Sequence, residues 1–493
     1  MHLRYATAER FMSNSMNRFL FALAVVLTVS QAQAFTLLGP LGPWQTARLG
    51  YLTDSAIIGG PMNLGEEYRW NVPVVYYGYT PEFLNYFGQH GVDEVEKAVK
   101  FLNDLPPASQ LNLDDYPLDS QRINHRARAL QLVDLKSEAL SMMVQAMGIC
   151  DPTRYVFTLR NRWNPPMITN YYVIKRNFDP VTWQHSSYIN GELWTYTTIL
   201  DNATGVPDSL VINNPVDPLA LFGVIRAPVT SGFSIGNSLL LYGGYWTGLT
   251  RDDAGGLKYI YRGNNYNVEN AATNAIAGSF GVSGGGGGKE SPWLVPTPPP
   301  TNAVPGTVVS NNFVNIALRA GINRVTFVRA NYNSLFGIFE PFTNSWTDTY
   351  VTNRQVFNQR LSRPQLIPDI LFDASDLQGP DDNGGALPVW AVGFQPWVNN
   401  QGINGIDNAS EPLRGDLGPG VIDPAVAANL PALLFTFNSV GPIFFNQADF
   451  FVSEVNSLHF FLWGSFDGST NEPVVYPIST SIQQVEAQVL GGR

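Results

Sequence analysis

The side chains best suited to chemistry in this 493-residue chain are carboxylates in a glycine-rich segment. Asp373, Asp376, Asp381 and Asp382 lie in the stretch FDASDLQGPDDNGG. Oxygen-rich loops of this kind bind Ca²⁺ outside the cell, so these four residues are the candidate metal ligands. Their spacing matches no standard calcium loop, and solvated turn residues are the alternative interpretation. The sequence predicts no catalytic residue and no other cofactor.

The histidines and the single cysteine form no recognisable catalytic or zinc-binding pattern. His90, His125, His185 and His459 are far apart in sequence, with no pair spaced as two ligands on one helical turn. No histidine or basic residue adjoins Cys150, so nothing nearby would stabilise a thiolate. We therefore expect Cys150 to be a buried structural thiol, in a protein without intramolecular disulfides.

The composition favours a loop-rich, strand-rich protein and argues against one class of partner. Glycine occurs 45 times and proline 35 times, and only 14% of residues are charged, which is unlike a helical bundle. The formal net charge is −11, and there is no run of lysine and arginine. Because nucleic acids attract a basic surface, a nucleic-acid partner is not expected.

The N-terminal segment has the pattern of a secretory signal peptide. Arg18 precedes the apolar run 19–29, and the small residues Ala32 and Ala34 follow it. This order predicts cleavage before Phe35, which makes residues 1–34 the signal peptide. The apolar run is short for a membrane span, and no later segment approaches the required length. We expect a bacterial protein that is secreted, periplasmic or on the cell surface, with no transmembrane segment in the mature chain.

The strongest helix signal lies in residues 130–151. One helical face is apolar, and Gly148 and Pro152 are typical of a helix end. Further helices are predicted over 91–106 and from 250, where Thr250 is the expected N-cap. Residues 68–80 predict a strand, and Asn190-Gly191 predicts a hairpin turn.

The chain is too long for one ordinary core and divides at a glycine-proline segment. Five consecutive glycines, 284–288, are followed by PWLVPTPPPTNAVPG, so residues 281–307 are predicted to be a linker. We predict an α+β domain over 35–280, with few helices packed on a mixed or antiparallel sheet. After residue 308 the pattern is strand and turn, which favours an all-β, sandwich-like domain over 308–493.

Two fragments of residues 68–262 resemble the matrixin-like metzincin metalloproteases. The predicted strand and helix over 68–105 look like the first strand and helix of that family. The segment LTRDDAGGLKYIY, residues 249–261, is similar to the family's closing helix, written L-[ST]-x-D-D-I-x-G-I-x-x-L-Y. Between these elements the family carries H-E-x-x-H-x-x-G-x-x-[HD], whose histidines bind zinc and whose glutamate acts as general base.

The resemblance implies that the zinc motif has been lost from this chain. Placing Gly148 on the motif glycine puts Ser141 and Gln145 at the two histidine positions, Met142 at the glutamate position and Asp151 at the third-ligand position. An aspartate alone does not hold zinc, and no base remains to activate a water molecule.

These observations favour an exported, non-catalytic protein that acts at a surface, in a matrix or as a binding module. An extracellular glycan, a protein or a component of the cell envelope is the expected kind of partner. The alternative is a divergent secreted hydrolase, either metalloprotease-like or carbohydrate-active. Two carboxylates roughly 5–10 Å apart in one cleft would favour the carbohydrate-active form.

Overall fold

A computed structural model describes most of residues 34–374 and parts of the remainder. The described residues are 34–39, 41–51, 60–163, 170–201, 208–217, 226–231, 242–270, 276–277, 312–313, 316–352, 354–366, 368–374, 421–422, 433–436 and 462–491. The predicted linker and nearly all of the predicted signal peptide lie outside these residues.

The helices of the described residues are few. They are α1 (Pro81–Asn103), α2 (His125–Ala129), α3 (Leu135–Ala146), α4 (Pro152–Tyr155), α5 (Arg251–Tyr261) and α6 (Ile482–Gly491). Short 3₁₀ turns occupy Ala47–Leu49, Leu113–Asp115 and Val229–Ser231. The last of these is called the 229–231 turn below.

The strands are more numerous and mostly short. In chain order they are β1 (Phe35–Gly39), β2 (Gly60–Met62), β3 (Arg69–Trp70), β4 (Val74–Tyr79), β5 (Gln121–Ile123), β6 (Leu132–Asp134), β7 (Ile149–Cys150), β8 (Phe157–Trp163), β9 (Asn170–Lys175), β10 (Asn177–Phe178), β11 (Tyr188–Ile189), β12 (Glu192–Asp201), β13 (Asp208–Pro215), β14 (Gly244–Trp246), β15 (Asn267–Asn270), β16 (Ile276–Ala277), β17 (Asn312–Phe313), β18 (Ile316–Arg319), β19 (Thr326–Arg329), β20 (Tyr332–Asn333), β21 (Ile338–Phe339), β22 (Phe342–Thr352), β23 (Gln355–Gln365), β24 (Ile370–Asp373), β25 (Val421–Ile422), β26 (Leu433–Thr436), β27 (Leu462–Ser465) and β28 (Val474–Val475).

A parallel sheet of order β19-β4-β24-β26 forms one face of the main core. Its register places Phe327 beside Val75 and Phe372 beside Tyr79. Helix α1 packs on this sheet through Phe83, whose ring centroid lies 5.0 Å from that of Tyr79. Burial of these aromatic side chains contributes to holding α1 on the sheet.

Strands from the two sides of the predicted linker pair with each other. Strand β4 lies between β19 and β24, and β6 pairs in parallel with β27. The main buried core accordingly includes Leu37 near the start of the described residues and Trp463 near their end. The division at 281–307 falls on residues that are not described, so it stays a prediction.

The coarse fold class predicted from sequence is confirmed, because the described residues combine a few helices with many strands in several sheets. Both parallel and antiparallel pairings occur, so the architecture is mixed α+β. The longest antiparallel hairpin is β22–β23, which follows the predicted linker.

The helix predicted within residues 130–151 begins later than its apolar pattern indicates. Gln131 has a positive φ of 57°, and residues 132–134 form strand β6. Helix α3 then starts at Leu135, with Asp134 as N-cap accepting a hydrogen bond from the Ser137 backbone N–H at 3.0 Å. The prediction was wrong over 130–134 because pairing of β6 with β27 overrides the local helical pattern.

The predicted helix end at Gly148 is confirmed. Gly148 has φ 101°, a left-handed conformation that glycine adopts without steric cost. A Cβ atom at this position would lie 1.9 Å from the carbonyl oxygen of Tyr68. Gly148 also accepts a hydrogen bond from the Leu38 N–H at 2.8 Å. The turn thus joins the end of α3 to strand β1.

Other local predictions are also confirmed. Thr250 caps α5 in a capping box with Asp253, as the sequence indicates. Asn190 and Gly191, with φ of 44° and 83°, form the turn between β11 and β12. Helix α1 is longer than predicted, because it begins at Pro81 and continues across a non-helical residue at Gly88.

The first described residue is already part of the buried structure. Ala34 is fully buried, and its backbone N–H donates to a carboxylate oxygen of Asp252 at 3.1 Å. The other oxygen of Asp252 accepts from the Asn190 N–H at 2.6 Å. This carboxylate therefore connects α5 to two other segments.

Among the described helices, none has both the length and the apolar composition needed to span a bilayer.

Replacing Gly148 with alanine should destabilise the protein by about 3 kcal/mol or more, since the new Cβ collides with backbone and the positive φ becomes strained. Urea denaturation of wild type and Gly148→Ala measures this difference. Gly263→Ala is the matched control, because a Cβ there meets no atom within 4 Å. Equal losses in the two variants would contradict the close approach at Gly148.

Candidate functional site

The residues at the three expected zinc-ligand positions lie close together around the 229–231 turn. Ser141 and Gln145 lie one turn apart on α3, and the Gln145 side-chain amide lies 3.4 Å from the Ser141 hydroxyl. The same amide nitrogen donates to the Thr230 carbonyl oxygen at 3.3 Å. The two positions therefore share one side of the helix and contact one segment.

Asp151 is occupied by hydrogen bonds within the fold. Its Oδ1 caps α4 by accepting from the Thr153 N–H at 2.9 Å, and it accepts from the Thr153 hydroxyl at 2.7 Å. The Ser231 hydroxyl donates to the same oxygen at 2.6 Å. Asp151 thus stabilises the start of a short helix and its contact with the 229–231 turn.

The 229–231 turn is held in place from both sides. The Val229 N–H donates to Oδ2 of Asp253 at 3.1 Å, and that oxygen also accepts from the Thr250 hydroxyl at 2.6 Å. The Thr230 hydroxyl donates to the Cys150 carbonyl at 3.1 Å. As a result, α5, the turn and the end of α3 form one hydrogen-bonded unit.

This arrangement does not fit a zinc ion. Zinc in proteins is held by thiolate, imidazole and carboxylate groups, whereas two of the three positions carry a hydroxyl and an amide. The third, Asp151, directs Oδ1 to Ser231 and Thr153. In the part of the chain that the structure describes, no three His, Cys, Asp or Glu side chains are grouped so that they could hold a metal ion.

One ionisable group of α3 lies a turn before Ser141. Glu138 is buried, and this burial raises the pKa of its carboxyl well above the usual range. A carboxyl group in such an environment is favoured in its neutral form. Glu138 was not singled out from the sequence, where a single charge near a helix start usually indicates a solvated face.

The candidate calcium ligands are only partly within the described residues. Asp373 is the last residue of β24, and its backbone pairs with Thr436 of β26. Asp376, Asp381 and Asp382 lie outside the described residues. Calcium binding by these four residues stays a prediction.

Cys150 and three of the histidines lie within the described residues. Cys150 is buried, and burial raises the pKa of its thiol well above the usual range, so the prediction of a structural thiol is confirmed. His90, His125 and His185 are exposed and lie on separate elements. His459 lies outside the described residues.

A pocket of about 540 Å³ lies between α1, the start of α3 and the segment 465–474. Phe101 and Phe466 supply apolar surface, and the charged side chains of the lining are Lys97, Lys100, Lys136, Glu94, Asp104, Asp467 and Glu472. No local sequence pattern indicates this pocket, because its walls come from segments more than 300 residues apart. The only local signal was Lys136 within an otherwise apolar helix pattern.

Comparison of the chain with models of protein families, with curated proteins and with solved structures finds no match in any of the three.

Lowering the pH from about 7 to about 5 should stabilise the protein through two buried helix-capping carboxyls. Burial raises the pKa of Asp134 and of Asp253 to about 6 from a usual value of 3.8. The folded state therefore binds more protons between these pH values, and this stabilisation is lost as the pH rises through 6. Urea denaturation between pH 4 and 7.5 measures how the free energy of unfolding changes with pH.

In Asp134→Asn the change in the free energy of unfolding over the same pH range should be smaller by about 1–3 kcal/mol. The reason is that asparagine keeps the helix cap but does not titrate. The matched control is Glu340→Gln, which changes an exposed carboxylate. A slope in Asp134→Asn equal to that of wild type would show that Asp134 is already ionised at pH 5.

Proposed function

We propose that this chain is an exported protein that binds a ligand or partner and does not catalyse a reaction. The proposal rests on the hydrogen-bonded closure around α3, where the family resemblance would place a zinc centre. The Gln145 amide is engaged by Ser141 and Thr230, and the Asp151 carboxylate by Ser231 and Thr153. These polar groups stabilise one another, so none is directed at a substrate.

The pocket beside α1 supports a binding role. It has both charged and apolar side chains in its walls, and its volume of about 540 Å³ is within the range of small-molecule sites in proteins. It also lies apart from the α3 cluster, because the pocket uses Lys136 at the start of that helix whereas the cluster uses Ser141 and Gln145 further along.

A divergent hydrolase is the second candidate function, and Glu138 is the observation that favours it. A buried carboxyl with a raised pKa is the form that general acids take in many hydrolases. Its position one turn before Ser141 would bring an acid and a hydroxyl to the same helix face.

Two finer expectations remain proposals. The sandwich-like arrangement of residues 308–493 is supported by the long β22–β23 hairpin, although α6 adds a helix to that part of the chain. Calcium at Asp373, Asp376, Asp381 and Asp382 is supported by their sequence alone.

A hydrolysis assay separates the two candidate functions. We expect the purified full chain to release no product above buffer from fluorescent casein or from nitrophenyl glycosides, with or without added zinc. The matched variants are Glu138→Gln, which removes the candidate acid, and Gln145→Ala, which opens the closed cluster. Both should equal wild type in this assay.

If wild type hydrolyses a substrate and Glu138→Gln abolishes this activity without lowering the melting temperature, the binding proposal is wrong. The protein would then be a hydrolase that uses Glu138. Zinc-dependent turnover that Gln145→Ala abolishes would instead favour a metalloprotease-like site.

The export proposal predicts a chain that begins at Phe35 outside the cytoplasm. Fractionation of producing cells, followed by N-terminal sequencing of the exported protein, measures both the location and the cleavage site. Replacing Ala32 and Ala34 with aspartate should block cleavage, because the peptidase requires small residues there. An unprocessed chain that accumulates in the cytoplasm of wild-type cells would contradict export.

A further inference from the structure

A short hairpin carries the two most exposed large apolar side chains of the described residues. Strands β20 and β21 form it, and residues 331–340 are called the 331–340 hairpin below. At its tip Leu335 is 90% exposed, Phe336 75% and Ile338 56%. Single apolar residues on a surface are ordinary, whereas several grouped at one tip are typical of an interaction site.

The backbone of the tip is closed by hydrogen bonds to Asn333. The Leu335 N–H donates to the Asn333 side-chain oxygen at 3.1 Å, and the N–H groups of Phe336 and Gly337 donate to its carbonyl oxygen at 3.2 and 2.9 Å. An unsatisfied N–H group is costly to move out of water. The tip can therefore enter an apolar medium with these three donors already bonded.

The side chains of the hairpin are layered from its tip to its base. Behind the apolar tip, Tyr332 pairs with Phe339 across the two strands, with ring centroids 5.1 Å apart. The next pair is polar, because the Asn331 amide donates to the Glu340 carboxylate at 3.3 Å. Apolar, aromatic and polar side chains in this order match the hydrocarbon, interfacial and headgroup layers of a bilayer.

The base of the hairpin is held by the main sheet. Phe339 packs on Gly78 of β4, where a Cβ atom would lie 2.6 Å from the phenylalanine ring. Just before the hairpin, the Ala330 N–H donates to the Tyr77 carbonyl oxygen at 2.7 Å. The tip is thus presented from a fixed base, and its insertion requires little further ordering of the chain.

The size of the tip favours a lipid surface over a folded protein partner. A stable protein interface buries about 800 Å² and about 20–30 residues on each side. The exposed stretch of the tip is only 334–338. A bilayer, in contrast, needs no complementary surface to accept a few apolar side chains.

The charge of the hairpin indicates an apolar attachment. Glu340 is the only charged residue of 331–340, and the chain has a formal net charge of −11. Attraction to anionic headgroups needs clustered lysine and arginine, which this hairpin lacks. The lipid surface that suits it is therefore a neutral, zwitterionic one.

We propose that the 331–340 hairpin attaches the exported chain to a lipid bilayer by inserting Leu335, Phe336 and Ile338 among the acyl chains. The inference deepens the proposed binding function by naming a lipid surface as the partner, and it rests on that function. Separate results test the two. Hydrolysis by wild type would refute the non-catalytic role without affecting lipid attachment, whereas absence of attachment would leave the non-catalytic role standing.

Sedimentation with vesicles tests the attachment. The chain begins at Phe35, because the apolar run 19–29 would itself bind lipid, and the vesicles contain equal parts of phosphatidylcholine and phosphatidylethanolamine. Half of the chain should sediment at roughly 1–10 mM lipid, since one short apolar tip gives only weak, reversible binding. Raising NaCl to about 0.5 M should leave this fraction unchanged, because the attachment is apolar.

Leu335→Ser and Phe336→Ser should each raise the lipid concentration for half-binding by about fivefold or more, because each removes apolar surface that enters the bilayer. Neither should lower the melting temperature, since both side chains are exposed. The matched control is Val356→Ser. Val356 is 64% exposed but lies near the far end of the β22–β23 hairpin, roughly 30 Å from Phe342. This control should bind within about twofold of wild type.

A fluorescent label distinguishes insertion of the tip from attachment elsewhere. The only cysteine, Cys150, is buried, so an NBD group can be attached selectively to Ser334→Cys. On vesicles its emission should shift to shorter wavelength and be quenched by lipids brominated in their acyl chains. The matched label at Thr347→Cys, on the exposed face of β22, should show neither change.

The proposal is overturned if the wild-type chain does not sediment with vesicles, if both tip variants bind like wild type, or if the label at position 334 reports no apolar surroundings. Binding that disappears at high salt would show an electrostatic attachment and would also overturn it. A dimer in solution that Phe336→Ser dissociates would show that the tip contacts a second copy of the chain, and the lipid proposal would then be wrong.

Discussion

The carboxylate of Asp253 accepts hydrogen bonds from Thr250 and from the backbone of Val229, and the position of the 229–231 turn depends on this interaction. Through that turn, α5 is joined to the end of α3 and to Asp151. The carboxylate is fully buried, so its ionisation is costly unless these donors are present. Loss of either donor would therefore leave a buried carboxylate oxygen with one hydrogen bond fewer.

In this unit the polar side chains of α3 stabilise the packing of the helix against the 229–231 turn. The Gln145 amide donates both to the Ser141 hydroxyl and to the carbonyl oxygen of Thr230. The closure around α3 is consequently a source of rigidity in this part of the fold.

The pocket has a different physical basis from the cluster. In the cluster the polar contacts are made within the fold, at distances from 2.6 to 3.4 Å. In the pocket, Lys136 is mostly buried, lies over the Tyr245 ring and interacts electrostatically with the carboxylates of Asp134 and Asp467.

The sequence by itself determined the elements whose signals are local: the capping box at Thr250, the hairpin turn at Asn190-Gly191, the end of α3 at Gly148 and the burial of Cys150. It also determined the α+β class in coarse form. Only the tertiary structure decided that 132–134 form a strand, because the partner strand lies some 330 residues later in the chain. Likewise, a lysine in an apolar helix pattern gives no sign of which segment will cover it. Local patterns report backbone preference and burial, whereas sites assembled from distant segments depend on long-range pairing that no local pattern contains.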